Sequence, residues 1–169
     1  SLYFASDTRR SDDIEFYKWD MKSDACKKYV IKSKKVEPDM DNKRDKLLQL
    51  LTGAIVGFHE IEETGCLLID VWNEGVYVYD VWNEHIVKKF DYREYVYITQ
   101  RNDDIIAKKN VGDIKAIDKK TYEEIKLFNV YEMYKERCSV VGGNNGHLYV
   151  ERRSDHGSNP IRFDILDLG

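Results

Sequence analysis

Superimposing Asp80 on Asp118 brings the chain onto itself at a period of 38 residues: VYVYD falls on IKAID, Val87 on Ile125 and Phe90 on Phe128. Both segments close ten residues after the aspartate, in IVKKF and EIKLF. A chain that repeats at this spacing must build one small unit several times and bury each copy against its neighbours. Inside the unit the pattern is that of strands. The run 66–72 (CLLIDVW) is apolar and β-branched, NEG is a turn signal, VYVYDV is a second strand, and WNEH turns into IVKKF. With AIVGFHEI and the turn EETG before them, four short strands fit in about 40 residues. The duplicated DVWNE, at 70–74 and 80–84, marks two successive strand-to-turn transitions of one antiparallel meander.

The same order recurs around Asp118 as EYVYIT, QRNDD, IIAKKN, VGD, IKAID, KKTYE and EIKLF. Upstream, IEFYKWD ends in Asp20, and Val30 stands ten residues on; Asp20 to Asp80 is 60 residues, which is 38 plus an insertion of 22. SLYFAS reads as the second strand of that first unit. Downstream, VYEMY, CSVVGG, HLYVER and IRFDIL read as the four strands of a last unit, with NNG turning between the second and third of them. The expected fold is therefore all-β and β-propeller-like, with about four four-stranded antiparallel blades in one domain over 1–169. Blades apolar on both faces need cover on both sides, and radial stacking supplies it. Four blades are few for a closed ring, so the chain is expected to be part of a larger ring or to close with another chain, by self-association or through missing blades.

Strand, glycine turn, alternating hydrophobics ending in aspartate, then a short loop and a closing strand resemble the WD-repeat (tryptophan-aspartate) family of β-propellers. Trp19-Asp20 is the literal dipeptide, and Tyr79-Asp80 and Ile117-Asp118 are variants of it. The double glycine of VVGG, at 140–143, resembles the kelch propellers, which stand as the alternative. What the WD resemblance implies is a non-catalytic protein-protein interaction scaffold within a multiprotein assembly. Loops between blades, and between second and third strands, would form a rim for a protein or peptide partner. Trp72, Tyr92, Arg93, Tyr95 and Tyr131 flank those loops, and aromatics with arginine are the residue types that dominate interfaces. Tyr77 and Tyr79 share one strand face and are expected between blades.

Other classes find less support. Basic residues number 27 against 31 acidic, for a net charge of -4, which argues against a nucleic-acid surface. No apolar run is long enough to span a membrane. Cys26, Cys66 and Cys138 are odd in number, far apart and without CxxC spacing, and no N-glycosylation acceptor occurs; reduced thiols in the cytoplasm or nucleus are expected. His59, His85, His147 and His156 are scattered, so no metal ligand set is expected, no cofactor is implied, and no catalytic residue stands in a nucleophile elbow. GGNNGH lacks the helix and Lys-Ser/Thr of a phosphate loop and reads as a hairpin turn. The second functional reading is a ligand-binding or hydrolytic propeller using carboxylates and His59 near the central channel. A charged inserted loop at about 32–51 ends in LLQLL, which matches a helical docking motif but is read first as leucines of a core.

Overall fold

The computed structural model describes residues 1–5, 13–32, 54–72, 74–91, 95–109, 112–153 and 161–169. The inserted loop beyond Lys32, its LLQLL, Tyr92 and Arg93 lie outside the described residues. The described chain is all-β apart from one short helix, and it forms four antiparallel sheets, each a meander of consecutive strands. The first contains β1 (Leu2–Ala5), β2 (Ile14–Asp20) and β3 (Ala25–Ile31). The second contains β4 (Ile55–Ile61), β5 (Cys66–Val71), β6 (Gly75–Asp80) and β7 (His85–Asp91). The third contains β8 (Val96–Arg101), β9 (Asp104–Lys109), β10 (Asp113–Asp118) and β11 (Glu124–Asn129). After the helix α1 (Val130–Tyr134), the fourth contains β12 (Arg137–Asn144), β13 (His147–Arg153) and β14 (Arg162–Asp167). Two of the four sheets thus have three strands among the described residues: the first, which SLYFAS was expected to open as a second strand, and the fourth, where four strands were expected.

The missing strand of the last sheet has a specific cause: VYEMY, expected as a strand, is helical. Asn129 caps it, its side-chain oxygen accepting from the N–H groups of Tyr131 and Glu132, at 2.9 and 3.2 Å. Lys135 ends it in the left-handed region at φ 53°. In five residues an alternating pattern also satisfies the i, i+4 spacing of Val130 and Tyr134, so periodicity alone was ambiguous. An Asn followed three residues later by Glu132 was the capping signal that favours the helix. CSVVGG is consequently the first strand of its sheet. The turn at Asn145-Gly146, both at positive φ (47° and 77°), joins first and second strands, not second and third.

The repeat is physical as well as textual. The strands β2, β6 and β10 each end in an aspartate whose Oδ1 accepts the backbone N–H two residues on: Lys22 on Asp20 at 3.0 Å, Trp82 on Asp80 at 2.9 Å, Lys120 on Asp118 at 2.8 Å. Asp167, at the end of β14, does the same with the N–H of Gly169 at 2.9 Å. Residues four beyond the first three aspartates, Asp24, Glu84 and Tyr122, all adopt positive φ, which lets the next strand fold back. The N–H directly after the aspartate reaches the carbonyl that precedes the second strand in three sheets: Val81 to Gly65, Lys119 to Asp103 and Leu168 to Gly146. Asp167 is therefore the landmark of the fourth copy, which the sequence comparison had not anchored.

Hydrogen bonds to these exposed carboxylates stabilise their charged form, so Asp20, Asp80 and Asp118 are held below the usual carboxyl value. A folded value below the unfolded one means stability that is complete above about pH 4 and lost as pH falls through the folded values. The triple variant Asp20→Asn/Asp80→Asn/Asp118→Asn is expected to flatten the acid limb of thermal stability. Melting curves from about pH 6 down to about pH 2.5 check it; parallel limbs for variant and parent would refute the assignment.

The chain divides into two compact units, Ser1–Tyr92 and Arg93–Gly169. In the first unit, Ile14, Phe16, Tyr29 and Ile31 of the first sheet pack against Leu67, Ile69, Val71, Tyr77, Tyr79 and Val81 of the second. Tyr77 and Tyr79 are thus between sheets, as their shared face required. Phe16 sits at the centre, stacked on Tyr29 at 4.9 Å and edge-on to Tyr79 at 5.5 Å. In the second unit, Ile106, Ile114 and Ala116 of the third sheet share a core with Cys138, Leu148 and Val150 of the fourth and with Val130 of α1.

Candidate partner-binding surface

In an antiparallel meander, the turns between second and third strands lie at the same end of a sheet as the connections to the neighbouring sheets. Trp72, Tyr95 and Tyr131 all stand at that end of their own sheets, and each is held differently. Trp72 follows β5 and is 38% exposed. Its N–H donates to the carbonyl of Ala54 at 2.9 Å, and the turn after it is closed by the N–H of Glu74 on Val71 and by the Tyr77 hydroxyl on the Glu74 carboxylate at 3.1 Å. A large aromatic is thereby presented from a backbone fixed on both sides.

Tyr95 precedes β8 and is 9% exposed. The ammonium of Lys109 lies 5.0 Å from its ring centre and donates to its hydroxyl at 3.3 Å, while donating also to both carboxylate oxygens of Glu124. Its ring is a packing element of the third sheet. Tyr131 is the second residue of α1 and covers Gly112 of the turn between β9 and β10. A Cβ at Gly112, where φ is +86°, would stand 2.3 Å from the tyrosine ring. Glycine there lets the helix dock on the turn.

Residues that the sequence did not single out fix the rest of this end in the second unit. The guanidinium of Arg152 pairs with Glu136 through Nε and donates to Asp164 at 3.0 Å through a terminal nitrogen, and it lies 4.8 Å from the ring centre of Tyr134. Burial, followed by the charge of Asp164, raises the phenol of Tyr134. The cluster ties α1 to β13 and β14. Its members are too far apart in sequence for any local pattern to reveal them.

His59 and Asp70 occupy one face of the second sheet, with Gly57 of β4 opposite Asp70 and the His59 imidazole lying over Gly57, 3.5 Å from where its Cβ would be. Burial lowers the imidazole of His59 and raises the carboxyl of Asp70. Burial shifts both groups toward their neutral forms. Among the described residues no group of three His, Cys, Asp or Glu is placed to hold a metal ion. The three cysteines are free, with Cys138 buried, its thiol raised by burial and donating to the carbonyl of Val130 at 3.5 Å. No helix among the described residues is long and apolar enough to cross a membrane. Comparison with protein-family models and with curated proteins finds nothing that matches this chain.

Proposed function

We propose that the chain is a non-catalytic interaction module whose sheets are blades of a WD-like β-propeller, and that the end carrying Trp72 and the loops between blades receives a protein or peptide partner. The reading rests on the repeated aspartate-capped turn for the architecture and, for the function, on one observation: an exposed tryptophan whose backbone N–H is hydrogen-bonded to the carbonyl of Ala54. Such preorganised aromatics contribute most of the affinity in protein interfaces, because little side-chain entropy is lost on binding. By their position in the sequence Tyr92 and Arg93 belong to the same proposed surface, as does Tyr131, while Tyr95 packs within the third sheet. A chain of this kind would serve as a subunit of a larger assembly in the cytoplasm or nucleus.

The test uses peptides selected from a random library against the immobilised chain. They are expected to compete for one site, and Trp72→Ala should weaken them by about tenfold or more, with Arg93→Ala and Tyr92→Ala acting in the same direction. Selected peptides that are all indifferent to Trp72→Ala contradict the reading. The ligand-binding or hydrolytic alternative has one observation in its favour, the burial of His59 beside Asp70 on a shared face. Under that alternative His59→Ala would abolish binding of the selected ligands while Trp72→Ala would not.

A further inference from the structure

Counting back from the aspartate that ends β2, β6, β10 or β14, residues two and four before it define one face of the sheet, and residues one and three before it the opposite face. In the first unit Phe16, four before Asp20, is covered by Tyr77 and Tyr79, three and one before Asp80. In the second unit Ala116 and Ile114, two and four before Asp118, share a core with the opposite face of the fourth sheet, including Leu166, one before Asp167. The same rule thus operates twice: the leading face of one sheet is buried by the trailing face of the next.

Among the described residues two further faces carry adjacent exposed apolar side chains. On the leading face of the fourth sheet, Ile165 and Phe163, two and four before Asp167, are each 67% exposed, beside Tyr149, the cross-strand partner of Ile165, at 38%. On the trailing face of the first sheet, Leu2 and Phe4 are 50% and 41% exposed, Phe4 stacking on Tyr17 at 5.3 Å, with Val30 alongside at 39%. Adjacent exposed apolar side chains on a sheet face mark an interaction surface rather than ordinary scatter. On these faces Glu151 pairs with Arg153 and Glu15 with Lys28 at 2.8 Å, while Arg137, cross-strand from Arg153 on the edge strand β12, stays exposed.

We infer that these faces join two copies of the chain, the first sheet of one copy covering the fourth sheet of its partner and the reverse. The occupant follows from the chain itself, since each open face is of the kind that the other buries at the two sheet-on-sheet contacts already formed. Two reciprocal contacts related by a two-fold axis give a closed, self-complementary dimer.

The experiment is light scattering on size-separated protein over a wide concentration range. The parent should show a mass near twice 20.0 kDa. Phe163→Asp/Ile165→Asp and, separately, Leu2→Asp/Phe4→Asp should each weaken dimerisation by about a hundredfold or more. Circular dichroism of each variant verifies that it remains folded, and all four positions are exposed enough to accept a carboxylate. Mixing the two variants should restore a dimer, because each keeps the face that the other has lost. A parent that stays monomeric throughout, a mass that climbs without limit, or a Leu2→Asp/Phe4→Asp variant that remains dimeric by itself would each overturn the inference.

Discussion

Gly75→Ala is expected to unfold the first unit or to destabilise it by more than about 4 kcal/mol, beyond the range of ordinary substitutions. Gly75 begins β6 at φ +126°, a conformation that residues with a Cβ rarely adopt. An alanine Cβ would stand 2.0 Å from the carbonyl oxygen of Phe90 and 3.2 Å from the carbonyl carbon of Asp91, both backbone atoms of the paired strand β7. Nothing flexible is available to give way, so β6 must lift away from β7. Gly57 supplies the control: its φ is ordinary and its nearest neighbour to a Cβ is the His59 imidazole at 3.5 Å, so Gly57→Ala should change stability by about 1 kcal/mol or less. Urea unfolding followed by tryptophan fluorescence reads the first unit specifically, because Trp19, Trp72 and Trp82 all lie in it. A Gly75→Ala variant with the parent's unfolding midpoint would show that β6 and β7 are not paired in this register.

Phe16→Ala comes next in size. Its side chain is fully buried where Tyr29, Phe58 and Tyr79 converge, with ring centroids 4.9, 5.7 and 5.5 Å away. Tyr29 and Tyr79 also meet each other edge-on at 6.1 Å, so removing the ring leaves a cavity whose walls hold one another in place. The expected cost is about 3 to 5 kcal/mol. Phe16→Leu, which keeps most of the volume, should cost markedly less. Equal effects from the two would mean that the site is not a packed centre between the two sheets. The same fluorescence-detected unfolding checks both variants.

How much of this was legible in the residues depended on whether the cause was local. The turn after β2, β6 and β10 was readable because aspartate, a polar turn and a closing strand recur in order, and the hydrogen bonds that enforce the order are local to those residues. Strand faces were readable for the same reason: Val76 to Tyr79 alternate on a pleat, and Tyr77 and Tyr79 had to point the same way. VYEMY failed because five residues satisfy both periods, and the deciding contact, the side chain of Asn129 on two backbone N–H groups, is a cap rather than a pattern. Misplacing that one element moved the glycine turn at Gly146 from one hairpin to another and left Asp167 unrecognised as the fourth landmark. The place of Trp72 at a strand end was also legible, because strand and turn adjoin in sequence. The burial of Tyr95 under Lys109 and the bracket made by Arg152, Glu136, Asp164 and Tyr134 depend on strands brought together from distant parts of the chain. No single stretch of sequence records them.

The central claim is that within each unit the two sheets stack, the leading face of one against the trailing face of the next. Proton nuclear Overhauser spectra of the folded chain test it most directly. Cross-peaks from the Phe16 ring to Tyr79, in the adjacent sheet, should appear alongside those to its own-sheet neighbour Tyr29. Cross-peaks from Phe16 to Tyr29 alone, in a sample that keeps its β-sheet signal, would mean that the sheets form but do not stack, and the account would fall.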